Sequence, residues 1–96
     1  MEQQPLIRLE TVVARAEGLI AADLDGATAL LSIDRGKYYG LDAVGSRIWE
    51  LTATPATVGE IIRTLRHEYA VSADTCYGDV GVFLDKLIAE GLVTIV

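Results

Sequence analysis

Apolar positions in this chain follow two rhythms, one in the front half and another in the back. Leu19 to Leu24 (LIAADL), Ala27 to Ile33 (ATALLSI) and Lys37 to Leu41 (KYYGL) are short apolar or aromatic runs separated by turn residues, the signature of strands. Asp25-Gly26 supplies the positive backbone angles of a tight hairpin, and Asp34-Arg35-Gly36 makes a second turn. These three runs form a meander. Ahead of them, Leu9 to Ala16 (LETVVARA) reads as a strand or an extended lead-in.

From Asp42 onward the period becomes helical. Asp42 stands at an N-cap position, and Val44, Ile48, Trp49 and Leu51 mark one face of a helix over Ala43 to Leu51 that Thr54-Pro55 stops. Thr57 and Glu60 have capping-box spacing, ahead of a stripe of Val58, Ile61, Ile62, Leu65 and Tyr69. Ser72 or Asp74 caps a third helix that runs to Glu90, with apolar positions at Cys76, Val80, Phe83, Leu84, Leu87 and Ile88 and with Asp79, Asp85, Lys86 and Glu90 wet. Gly91 closes it, and Leu92 to Val96 is a terminal strand or extended tail. Three strands followed by three helices predict an α+β domain, winged-helix-like, with a three-stranded antiparallel sheet. The 96 residues are read as one domain, residues 1–96, with a flexible start over residues 1–8.

The order of elements leaves Lys37 to Leu41 on a sheet edge, where unpaired N–H and C=O groups invite a strand from another chain. Alternation puts Lys37, Tyr39 and Leu41 on one face and Tyr38 and Gly40 on the other. Leu41 precedes a buried helix, so Tyr39 should point inward with it. Gly40 weakens a strand, and glycine there often marks the close approach of another backbone. Trp49 is expected to plug the space between sheet and helices. Phe83 is expected either in the core or at the lip of a groove between the third helix and the third strand.

Charge narrows the function. Fourteen acidic residues against eight basic give a net charge of −6, a poor surface for nucleic acid or an anionic membrane. The third helix offers only Lys86 among Asp74, Asp79, Asp85 and Glu90, whereas a recognition helix presents Arg, Lys, Asn or Gln to base edges. A winged-helix DNA-binding regulator is therefore the weaker alternative, as is a small inert subunit of a larger enzyme. Catalysis lacks parts. Cys76 and His67 are the single cysteine and histidine, and no third orienting group accompanies them. Four zinc ligands are not available, and Gly36 and Gly40 do not form a phosphate-cradling loop. No catalytic residue, cofactor or metal is expected. The lone cysteine permits no internal disulfide, and neither a membrane-spanning run nor a signal peptide is visible, so a cytoplasmic setting is expected.

The segment Ala29 to Trp49 (ALLSIDRGKYYGLDAVGSRIW), then Thr57 to Ile62, then Asp79-Val80 through Phe83-Leu84, Leu87 and Gly91-Leu92-Val93, resembles the PqqD-like proteins. These are the recognition elements of ribosomally made, post-translationally modified peptides. The resemblance covers roughly Leu19 to Val93, with Asp42 where the family more often has Asn; both cap helices well. It implies a three-stranded sheet packed on three helices. It also implies that the leader of a precursor peptide adds as a strand to the third strand and lies against the third helix. The implied peptide-binding residues are Lys37, Tyr38, Tyr39, Gly40 and Leu41, with Asp79, Val80, Phe83, Lys86 and Leu87 across the cleft. Selectivity would come from a pocket between Tyr39, Leu41 and Phe83, with Lys37, Lys86 and Asp79 reading charge at the rim. Implied partners are the precursor peptide and the leader protease and cyclase of the same pathway. The paired-aromatic strand and the absence of a fused enzyme are most similar to the lasso-peptide type; a chaperone for a peptide-derived quinone cofactor is the alternative. The domain is expected to be a monomer or an edge-paired dimer.

Overall fold

A computed structural model describes residues 7–70 and 72–96. The chain runs β1 (Val12–Arg15), β2 (Leu19–Leu24), β3 (Ala27–Ser32), β4 (Lys37–Leu41), α1 (Ala43–Leu51), β5 (Ala56–Thr57), α2 (Val58–Tyr69), α3 (Ala73–Ala89) and β6 (Val93–Ile95). The meander is an antiparallel sheet of order β2-β3-β4, and its third strand is β4. The hairpin between β2 and β3 is tight because Asp25 and Gly26 both take positive φ, at 53° and 86°. With three helices packed behind this sheet, the architecture is the expected winged-helix-like α+β domain.

A second, smaller sheet of order β5-β1-β6 ties the ends of the chain together. The uncertain lead-in is thus its central strand, with Val13 opposite both Ala56 and Ile95. The two-residue strand β5 was not legible beforehand, since Pro55 and the capping box hide it. Residues 1–6 of the expected flexible start lie outside the described residues, as does Val71 in the expected turn between the last two helices. Ile7 and Arg8, also within that start, are held. Ile7 is buried in the core and its carbonyl accepts from the Tyr77 hydroxyl at 2.9 Å, while the Arg8 N–H donates to Thr11 Oγ1.

Each helix begins where the sequence places it. Asp42 Oδ1 accepts from the Gly45 N–H at 2.8 Å, Thr57 and Glu60 complete their capping box, and Ser72 caps α3. Gly91 follows α3 with φ +73°. The core gathers Leu30 and Leu41 from the sheet, Ile48 and Trp49 from α1, Ile61 and Leu65 from α2, and Leu84 and Leu87 from α3. Trp49 fills the expected position, and the Arg15 guanidinium lies over its ring at 4.5 Å while donating to its carbonyl oxygen. Burial lowers the Arg15 pKa, against the opposing effect of Glu50. Tyr69 departs from its stripe: it is exposed, at the last turn of α2. Arg47 grips both oxygens of Glu68 on α2 at 2.7 to 3.1 Å and clamps α1 to α2.

Candidate functional site

Strand β4 pairs with β3 alone, Leu30 opposite Tyr39 and Thr28 opposite Leu41. Its other side is an open edge among the described residues. Beside that edge runs a cleft of about 260 Å³ between the end of β4, the first turns of α1 and the middle of α3. Its floor is apolar: Leu41, Val44 and Ile48 face Val80 and Phe83. Asp42 and Asp79 place carboxylates at its mouth, and that of Asp42 is already engaged in capping α1.

The close seating of α1 on α3 has a local cause. A Cβ on Gly45 would lie 3.0 Å from the Phe83 ring, so the glycine lets that ring press against the helix backbone. Phe83 is thereby placed at the lip of the groove, the second of its two expected positions, while still touching the core. Val44 shows the opposite behaviour. Its periodicity marked it as inward, yet it is 45% exposed, because its apolar surface faces the cleft.

Five of the ten sequence-derived residues meet in this cleft: Gly40, Leu41, Asp79, Val80 and Phe83. The other five are placed elsewhere. Lys37 is exposed at the start of β4, Tyr38 stands 79% exposed on the outer face, and Lys86 is exposed on α3. Leu87 is buried in the core behind the groove. Tyr39 points inward as expected, but its hydroxyl donates to Glu90 Oε1 at 2.8 Å rather than lining the pocket with Leu41 and Phe83. Arg35 pairs with the same oxygen at 3.6 Å, so the β3–β4 turn is pinned to the end of α3. Burial, then the bond to Glu90, raises the Tyr39 pKa.

Sequence reasoning missed Val44, Gly45 and Ile48 as groove residues. The available signal was the helical face that Val44 shares with Ile48, starting one turn after the edge strand. Gly40 has an informative environment. It does not take positive φ, and a Cβ there would meet nothing within 4 Å. Neither conformation nor packing inside this chain requires glycine at that point.

The nucleophile candidates do not converge on the groove. Cys76 is buried with its thiol 3.9 Å from the Ile62 carbonyl, and burial pushes its pKa up; a buried, protonated thiol is a poor nucleophile. His67 is exposed on α2. Among the described residues no cluster of metal-ligating side chains is found, and no helix is long and apolar enough to cross a membrane.

An open strand edge above an apolar cleft, on a winged-helix-like frame, is the architecture of a strand-adding recognition domain. Residues 27–93 match the family described as coenzyme PQQ synthesis protein D, PqqD, and the chain belongs to that family. A solved structure, TbiB1 in complex with the TbiA(beta) leader peptide, is similar at 35% identity and a TM-score of 0.79. The alignment covers 83% of this chain and 93% of that one. No curated protein matches.

Proposed function

We propose that this domain binds the leader region of a ribosomally synthesised precursor peptide and escorts it to separate enzymes. The leader adds as a strand to β4 and lies along α3. The observation that carries this reading is the unpaired edge of β4 running beside the apolar cleft of Leu41, Val44, Ile48, Val80 and Phe83. Family membership supports it, as does the similar structure of a relative holding a leader peptide.

The energetics are adequate. About four main-chain hydrogen bonds at ~1 kcal/mol each and two buried leader side chains at ~1.5–3 kcal/mol each are offset by ordering the peptide. The gross of about 7–10 kcal/mol, less roughly 2–5 kcal/mol for ordering the peptide, leaves about −2 to −8 kcal/mol, micromolar at the tight end. Backbone pairing gives affinity with little sequence preference, so selectivity comes from the cleft. The domain itself carries out no catalytic step; bond cleavage and cyclisation belong to its partners. We assign it to the lasso-peptide type, working in the cytoplasm with a leader protease and a cyclase. This rests on the Tyr38-Tyr39-Gly40-Leu41-Asp42 run.

Titration calorimetry with the cognate leader tests the groove. Val44→Asp is the chosen variant, because an acidic residue in the first turn of a helix suits the dipole and leaves the fold intact. Affinity should fall at least tenfold; an unchanged affinity rejects the cleft as the binding site. A second assay tests the escort role. Adding the domain should accelerate leader cleavage by the purified protease through local concentration, and no acceleration rejects that role.

A further inference from the structure

The cleft beside β4 is fastened at one end by the contact of Gly45 with Phe83, which seats α3 against α1. From Phe83 the helix continues to its C-cap residue, Glu90, about 10 Å further along the axis. A second fastening is made there. Tyr39 shares the inner face of β4 with Leu41, and its hydroxyl donates to Glu90 Oε1 at 2.8 Å. Arg35, in the turn ahead of β4, pairs with that same oxygen at 3.6 Å. The Arg35 guanidinium also lies beside Gly91, so near that a Cβ there would be 3.4 Å from Nη2. One carboxylate thus gathers the middle of β4, the turn that precedes it and the end of α3.

Such links add little to global stability. The Arg35 and Glu90 side chains are 45% and 42% exposed, and ion pairs in contact with water contribute weakly to folding. Their effect is local. Strand β4 has a backbone partner on one side only among the described residues, and an element so held opens at low free-energy cost. The Tyr39–Glu90 bond crosses from that strand to the helix and sets the distance between them.

We propose that Glu90 is a positioning residue for leader binding: through Tyr39 and Arg35 it holds β4 and α3 at one separation, so the cleft is already formed when a strand arrives. This rests on the leader-binding reading above. Glu90 does not line the cleft; it acts through the strand that the leader pairs with. A β4 free to swing away from α3 spends part of its time unable to pair, and apparent affinity falls by the competent fraction. Ordering the loosened strand then opposes binding as well.

The test is a double-mutant cycle on leader affinity, read by fluorescence polarisation of a labelled synthetic peptide carrying the cognate leader. Tyr39→Phe keeps the ring and removes the donor; Glu90→Ala removes the acceptor. Measurements are made at a temperature where thermal melts show every variant fully folded, so that a bond serving stability alone leaves affinity unchanged. Each single variant should bind about fivefold more weakly, and the double variant should be no weaker than the worse single, since both break one link. Glu90→Gln, whose amide oxygen still accepts from Tyr39, should recover most of the loss in the presence of Tyr39 and none in Tyr39→Phe. Unchanged affinity in both single variants overturns the proposal. So do losses that multiply in the double variant, since Glu90 then acts on the guest independently of Tyr39. Wild-type protein that binds no leader defeats the leader-binding reading itself, and the positioning role with it; failure of the positioning role alone leaves wild-type binding intact.

Discussion

The two sheets of this domain treat their edges in opposite ways. In β5-β1-β6 the outer strands are two and three residues long, β1 between them holds the fully buried Val13, and Val93 is equally buried. Short edge strands give an intruding chain little to pair with. In β2-β3-β4 the outer strands have six and five residues and the face away from the helices is bare. The small sheet fastens the ends of the domain; the large one presents backbone and apolar surface to others. The difference shows that strand content alone does not distinguish structural from binding elements. Edge length, and what lies beside the edge, do.

Substitutions in the two central strands should erase that contrast, because both hold up the same core. Leu30→Ala in β3 should cost about 3 kcal/mol and Val13→Ala in β1 about 2 kcal/mol in a urea titration. Both are large against the total stability of a small domain. A Leu30→Ala loss below about 1 kcal/mol would mean that the large sheet is only loosely seated on the helices.

A milder perturbation acts away from the open edge of β4, on the short edge strand of the small sheet. Thr57→Ala breaks the capping box and should remove about 1 kcal/mol without changing leader affinity. The same helix sets an acid limit. Glu60 is held below its ordinary value by the hydroxyl and N–H of Thr57, and Glu68 by Arg47. Carboxyls depressed in the folded state contribute fully above their ordinary pKa and lose that contribution as pH falls through the depressed values. Thermal midpoints should therefore decline below about pH 4.5, and Glu60→Gln should flatten the decline. A midpoint independent of pH between 5 and 3 would contradict this account of the caps.

Much of the fold was legible because its signals are local. Asp25-Gly26 fixes a hairpin, while Asp42, Thr57 and Ser72 fix helix starts. Each depends on residues within a few positions, and the structure agrees with each. The second sheet was only half legible, since Val12–Arg15 becomes a strand through partners more than forty and about eighty residues away along the chain. The groove was legible in its strand and in the middle of α3. Its α1 wall was not, because helical periodicity labels Val44 apolar without saying whether the core or a guest covers it. Tyr39 shows the converse limit. Alternation gave its direction correctly, but its bond to Glu90 depends on where a helix fifty residues later ends.

The finest test of the contrast is Gly40. Within this chain the glycine is an unforced cost: interior strand glycine is worse than a β-branched residue by roughly 0.5–1 kcal/mol, and nothing near it would clash with a side chain. Gly40→Val should therefore raise stability by about that amount. Opposite Ala29, however, the glycine leaves a gap on the outer row that a large side chain of an added strand can cover. Valine fills the gap from the wrong side, so leader affinity should fall severalfold while the melting temperature climbs. Opposite signs in the two measurements mean that the position is kept for a guest. A rise in both would show that β4 accepts its partner without using Gly40, and binding would then depend on the cleft alone.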